Sequence, residues 1–270
     1  MNILLLKNFV GNNMFIVFNR QKIFSYLVAF STIVILFGIA FSVTNENAVI
    51  TSSTVRELPI YNVKTDQKKI SLTINCAWNA DDIDKILKTL KDNNVKATFF
   101  MVGSWVDKFP EEVKKIAKEG HEIANHSNTH PHVNNLSDDA NVKEIEATSS
   151  KIEKLTGNKT ILYRAPYGEY NNIVIRAAKS ASHIPIQWNV DTLDYTGITG
   201  EEMWRKIENK LDSGSIILMH NGTTHTADSL EMIINNIKNK GYELVKVSDL
   251  IYKDNYVIDN NGTQIYKSNN

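Results

Sequence analysis

From residue 70 onward the chain alternates short apolar runs with amphipathic stretches, and this alternation restricts the fold more than any other feature. Residues 70–74, Ile-Ser-Leu-Thr-Ile, read as a strand. Residues 81–93 follow with Ile83, Ile86, Leu87 and Leu90 at i, i+3, i+4 and i+7, the spacing of one helix face. Further strands are expected at 97–102, 122–125, 161–164, 185–190, 215–220 and 243–247. Helices are expected near 111–118, 172–180, 201–211 and 229–240, and from the Ser137 cap toward Leu155, with Gly157 just past its end. About seven strand-helix units in one run predict an α/β fold with a mainly parallel sheet, closed or nearly closed into a barrel. In such folds the chemistry gathers at the carboxyl ends of the strands.

The 270 residues, 42% hydrophobic and 22% charged, are enough for a sizeable core. Thirty Lys+Arg balance thirty Asp+Glu and no basic stripe forms, which argues against a nucleic-acid partner. No obligate protein partner is implied either. Cys76 is the single cysteine, so an intrachain disulfide and a Cys-rich zinc module are both excluded. Residues 23–43 are uncharged, with Lys7, Arg20 and Lys22 before them and Glu46 as the first charge after them. That length and flank predict a single membrane-spanning anchor with the body outside the cytoplasm. A cleavable signal sequence is the rival, since Ala40-Phe41-Ser42 is a passable small-x-small site. The expected organisation is a cytoplasmic segment 1–22, an anchor 23–43, a polar linker 44–65, a folded domain 66–255 and a polar tail 256–270.

Just past the expected strand ends lie Asn75-Cys76-Ala77-Trp78, His126 with His130, Arg164-Ala165-Pro166-Tyr167, Asp191 with Asp194, and His220-Asn221. Polar and aromatic groups thus converge on one face. Four of the seven histidines fall within residues 121–132. His126 and His130 stand four apart, a spacing at which one helical turn aims both imidazoles the same way, so the pair reads either as an exposed histidine pair or as a metal site, and its place at a strand end favours the second.

These segments, in this order, resemble the polysaccharide deacetylases, the NodB-homology family of carbohydrate esterases. Asn125-His126-Ser127-Asn128-Thr129-His130 is similar to the family's metal-binding His-Ser/Thr-x-x-His segment, and Arg164-Ala165-Pro166-Tyr167-Gly168 to its Arg-x-Pro-Tyr motif. Residues 188–195, WNVDTLDY, are similar to its Asp-Trp region, and Leu218-Met219-His220 to its Leu-x-His. The resemblance covers residues 69–252 and looks closest to the membrane-anchored sporulation type. It implies an irregular (β/α)7 barrel behind one N-terminal transmembrane helix. It also implies metal-assisted hydrolysis of an N-acetyl group from an acetylated amino-sugar polymer such as peptidoglycan or spore cortex. A divalent ion, zinc first, is implied on His126 and His130, polarising the carbonyl and activating a water. His220 is implied as the acid that returns a proton to the leaving amine, with Asp194 as first choice to orient it and Asp191 close behind. Tyr167 is implied to help bind the oxyanion through its backbone N–H, and Leu218 to line the methyl pocket. Trp78 and Trp188 are candidates both for sugar contact and for the core.

The departure lies in the first motif, where the family's Thr-Phe-Asp-Asp is Thr73-Ile74-Asn75-Cys76. Asn75 replaces the base and Cys76 a metal ligand. An amide cannot accept a proton at neutral pH, and Arg164 loses the anion it would pair with. Asp81 or Asp82 is one conceivable replacement base, and Cys76 as thiolate could complete a His₂Cys site or remain an inert buried thiol. Two functions follow: an anchored N-deacetylase with altered machinery, or a pseudoenzyme that keeps the groove as a glycan-binding or scaffolding module.

Overall fold

The computed structural model describes residues 3–6, 16–44 and 55–267, with side chains placed for 21–38 and 55–267. It contains two compact units, Met1–Val55 and Arg56–Asn270. In the first, strands β1 (Ile3–Leu6) and β2 (Ile16–Asn19) pair antiparallel and lead into helix α1 (Arg20–Thr44). Within α1, Gln21–Gly38 is long and apolar enough to cross a membrane, and none of it is buried inside the protein. The expected anchor falls inside this helix, whereas residues 45–54 of the expected linker lie outside the described residues.

In the second unit, β3 (Asn62–Val63) precedes β4 (Lys69–Cys76), α2 (Ile83–Asp92), β5 (Thr98–Met101), α3 (Gly103–Lys108), α4 (Pro110–Lys118) and β6 (Glu122–Asn125). Next come α5 (Asp138–Thr156), β7 (Leu162–Tyr163), α6 (Asn172–Ser180), β8 (Ile184–Pro185), β9 (Val190–Asp191), α7 (Gly200–Ile207) and β10 (Ile216–His220). The chain ends with α8 (Thr226–Asn239), β11 (Glu243–Val245), α9 (Val247–Leu250), β12 (Tyr256–Ile258) and β13 (Thr263–Tyr266). Helix α5 has the boundaries its sequence asks for: the Ser137 side chain accepts from the Ala140 N–H, and Gly157 closes it at φ 73°.

The main sheet runs β8-β7-β6-β5-β4-β10-β9, with β11 also on β4, and every pairing in it is parallel. It is the curled, helix-wrapped barrel that was expected. The expected single strand at 185–190 is instead two short strands at opposite ends of the sheet, because β8 pairs with β7 while β9 pairs with β10. Residues 60–63 cross this seam. The Ile60 N–H donates to the Pro185 carbonyl, and the Gln187 N–H to the Ile60 carbonyl, at 2.9 and 2.7 Å. The Val63 N–H then reaches the Gly214 carbonyl at 3.0 Å. Gly214, at φ 85°, leaves no room for a Cβ, which would lie 1.7 Å from the Val63 carbonyl oxygen.

Two expected boundaries therefore move. Residues 56–65 are not linker but part of the body, with Ile60 and Val63 fully buried. The expected tail forms the hairpin β12–β13, whose second strand pairs parallel with β3. The Gln264 side chain is buried there, accepting from the Tyr252 N–H and donating to its carbonyl.

Strand alternation sorts the side chains into two layers. Leu72, Ile74, Cys76, Ile217 and Met219 face the helices and join the larger core with Ile83, Ile86, Leu230 and Ile234. Phe100, Ala124, Leu162 and Ile216 face inward and, with Val247 and Leu250, form the barrel's apolar floor. Thr73, Asn75, Leu218 and His220 share the inward parity, so the chemistry stands above that floor.

Candidate active site

The carboxyl ends of the strands surround a cleft of about 550 Å³. Asn75, Trp78, His126, His130, Tyr167, Trp188, Asp191, Leu218 and His220, all singled out in the sequence, line it. Register explains the meeting of the two ends of the chain, since β10 pairs with β4 and places His220 directly opposite Asn75.

One side of the cleft holds a hydrogen-bonded histidine–aspartate pair. The His220 Nδ1 lies 2.9 Å from Asp194 Oδ1. The other carboxylate oxygen accepts from the His220 N–H at 2.6 Å and from the Thr226 hydroxyl at 2.7 Å. The Tyr195 N–H donates to Oδ1 at 3.0 Å. Asp194 is fully buried, so these donors replace its water shell. Between the two candidate partners of His220, the geometry selects Asp194. Asp191 instead accepts from the Leu193 N–H at 2.8 Å and faces the cleft, where burial pushes its carboxyl above the usual range. Trp78 stacks on the His220 ring, and Tyr195 meets it edge-on.

The opposite side is built around an amide. Arg164 is fully buried over the Phe100 ring, its guanidinium carbon 3.9 Å from the ring centroid. It donates to Thr73 Oγ1 at 2.9 Å, Asn75 Oδ1 at 2.8 Å and the Gln187 carbonyl at 3.1 Å. All three acceptors are neutral, and burial pushes the guanidinium down to about 9, with Asp191 acting in the other sense. The Asn75 Nδ2 lies 3.3 Å from His126 Nε2. The His126 Nδ1 in turn lies 2.7 Å from the Arg164 carbonyl, which can only accept, so Nδ1 carries the proton and Nε2 the lone pair.

His126 and His130 do meet, their ring centroids 5.0 Å apart, but not through a helical turn. They stand on a loop whose Ser127 and His130 have φ of 67° and 58°. Glu144, on α5, holds that loop: it accepts from the Ser127 hydroxyl and the Asn128 and Thr129 N–H groups, each at 2.8 Å, and from the Thr129 hydroxyl at 3.1 Å. Burial raises its carboxyl, but these four donors outweigh it and hold the group below the usual range. Sequence reading missed Glu144, because a glutamate on an amphipathic helix looks like a solvated face.

Tyr167 has φ 59° and exposes its ring at the rim, stacked on His132, which Glu169 Oε1 holds at 2.6 Å. Gly168 follows, and a Cβ there would meet the Trp188 ring at 3.0 Å. Leu218 is nearly fully buried at the base of the cleft.

Cys76 is a correction. Its parity turns it into the apolar layer under α2, fully buried, where burial holds the thiol well above its usual range, so it is neither at the cleft nor a thiolate. Asp82 is another: its carboxylate accepts from the Gly222 N–H and the Asn221 amide rather than entering the cleft or capping α2. A catalytic zinc uses three protein ligands. Among the described residues no three His, Cys, Asp or Glu side chains gather, and beside the two imidazoles Asn75 presents an N–H instead of a donor atom. The residues present do not complete the site.

The chain belongs to the polysaccharide deacetylase family. The family profile described as polysaccharide deacetylase matches residues 62–184. The uncharacterized protein YlxY of Bacillus subtilis is 37% identical over 72% of this chain and 60% of its own length. A peptidoglycan-N-acetylglucosamine deacetylase of Bacillus cereus is 32% identical over 68% of this chain and 69% of its own. The solved structure of BA3943, described as a CE4 family pseudoenzyme from Bacillus anthracis, is 33% identical with a TM-score of 0.69, covering 71% of this chain and 68% of that one. A mutant of BA3943 is described as having restored enzymatic activity.

Proposed function

We propose that the chain is a carbohydrate deacetylase of the cell envelope, directed at an acetylated amino-sugar polymer of the peptidoglycan or spore-cortex type, in which Asn75 holds hydrolysis near background. The carrying observation is the His220–Asp194 pair, fully assembled beside Leu218 and the aromatic walls. Amide hydrolysis asks for a proton acceptor at the water, a donor at the oxyanion and an acid at the amine. His220 supplies the acid: Asp194 fixes Nδ1 as the bonded nitrogen, leaving Nε2 to carry the transferred proton. The Tyr167 N–H is the oxyanion donor, and Leu218 meets the acetyl methyl. Trp78, Trp188, Tyr167 and Tyr195 offer ring faces to sugars. The acceptor is what Asn75 lacks, and a zinc ion on His126 and His130 is the family chemistry that this donor set leaves incomplete.

A second reading, a pseudoenzyme that binds or scaffolds glycan, is favoured by the Asn75–His126 contact, which turns a catalytic corner into a closed hydrogen-bonded one. Acetate release from acetylated amino-sugar oligomers and purified peptidoglycan, measured with binding of the same glycans, decides between them. Slow release with binding supports the deacetylase; binding with no release supports the second reading; neither refutes both. Residues 23–43 are proposed as the anchor, with the body extracytoplasmic. Protease added to intact protoplasts should then remove the body, and a fully protected body would refute this topology.

A further inference from the structure

The donor directions around Asn75 close into a ring. Arg164 Nη1 donates to Asn75 Oδ1, the Asn75 amide donates from Nδ2 to His126 Nε2, and His126 donates from Nδ1 back to the Arg164 carbonyl. No member can be reversed singly. A guanidinium can only donate and a carbonyl can only accept, so the two ends of the ring fix the senses at Asn75 and His126. Asn75 and His126 are 4% and 2% exposed, so water does not readily replace either partner.

We propose that Asn75 is a lock on the histidine pair: its amide occupies the one His126 lone pair through which the pair could take a divalent cation. Losing the base and weakening the histidine pair as a cation site are then two effects of a single side chain. The proposal rests on the reading of the cleft given above, and its test contains no glycan, so the two can fail separately. For a cation to bind, the Asn75 N–H must be left unsatisfied in a buried setting, a penalty that weakens binding by about tenfold to a hundredfold.

The test titrates zinc chloride into the purified full chain against a chromophoric chelator. Asn75→Ala, which restores neither charge nor base, should bind zinc about tenfold to a hundredfold more tightly than the parent, and Asn75→Asp more tightly still. Adding His126→Ala to Asn75→Ala should abolish the gain. Should Asn75→Ala bind no better than the parent while Asn75→Asp does, the effect is charge alone and the lock is refuted. A parent chain that already binds zinc as tightly as Asn75→Ala also refutes it. Imidazole ¹⁵N spectra of the unmutated protein give a reading independent of variant folding. They should show His126 protonated at Nδ1 with Nε2 accepting a hydrogen bond, and a proton on Nε2 would overturn the proposal.

Discussion

Glu144→Ala should unfasten the loop that carries His126 and His130. The carboxylate accepts two backbone N–H groups and two hydroxyls from three consecutive residues. Hydrogen bonds to a charged group are each worth about 1.5–3 kcal/mol. The full sum is not expected, because Glu144 is only partly buried, Thr129 is exposed, and water takes over part of the bonding. A net loss of about 2–3 kcal/mol is the reasoned figure. Its pH dependence has a definite sign. The folded carboxyl is held below its usual value of 4.5, so its contribution is fully present above that value and disappears as pH falls through the folded pKa. Urea denaturation of parent and variant at several pH values reads this directly. The stability gap should be complete at pH 7 and shrink below about pH 4.5. A gap under about 0.5 kcal/mol, or one that does not change with pH, would refute the anchoring role.

Asp194→Asn, tested in an Asn75→Asp background, should lower deacetylation by about a hundredfold or more, because the amide puts an N–H at one of two oxygens that each accept two donors, from His220 with Tyr195 or from His220 with Thr226. An unchanged rate and pH profile would remove Asp194 from the acid pair. Cys76→Ser should cost about 1–3 kcal/mol in thermal or urea stability, since it buries a hydroxyl among aliphatic side chains, and should leave zinc uptake unchanged. A marked drop in zinc affinity would return Cys76 to the cleft.

The repeating strand-helix pattern made the barrel legible because each unit carries its own periodicity. Residues 122–125 and the capped helix ending at Gly157 fall where the sequence places them. What escaped depends on contacts distant in sequence. The segment at Ile60 looks like linker because its partners, Pro185, Gln187 and Gly214, lie more than a hundred residues away. The β12–β13 hairpin did leave a local signal, Asn261-Gly262 between Tyr-Val-Ile and Thr-Gln-Ile-Tyr, a turn signature that the polar surroundings obscure. In the site, the motifs brought together His126, His130, Arg164, Tyr167, Leu218 and His220. Cys76 misled because motif position ignores strand parity: its neighbour Asn75 faces inward, so Cys76 faces out. Glu144 and Thr226 act through the residues they orient, and no spacing rule marks such residues.

The central claim is that Asn75 holds down hydrolysis in a cleft whose other side, His220 with Asp194, is already assembled. Acetate release by the parent, Asn75→Asp and Asn75→Asp/His220→Ala proteins on acetylated amino-sugar oligomers, with zinc supplied, tests it most directly. Restoring the carboxylate gives Arg164 an anion and the water a proton acceptor, for an expected rise of about 10²–10⁴-fold. Removing His220 should then erase most of that rise. Asn75→Asp no faster than an already active parent, or a revived enzyme indifferent to His220, would contradict the account.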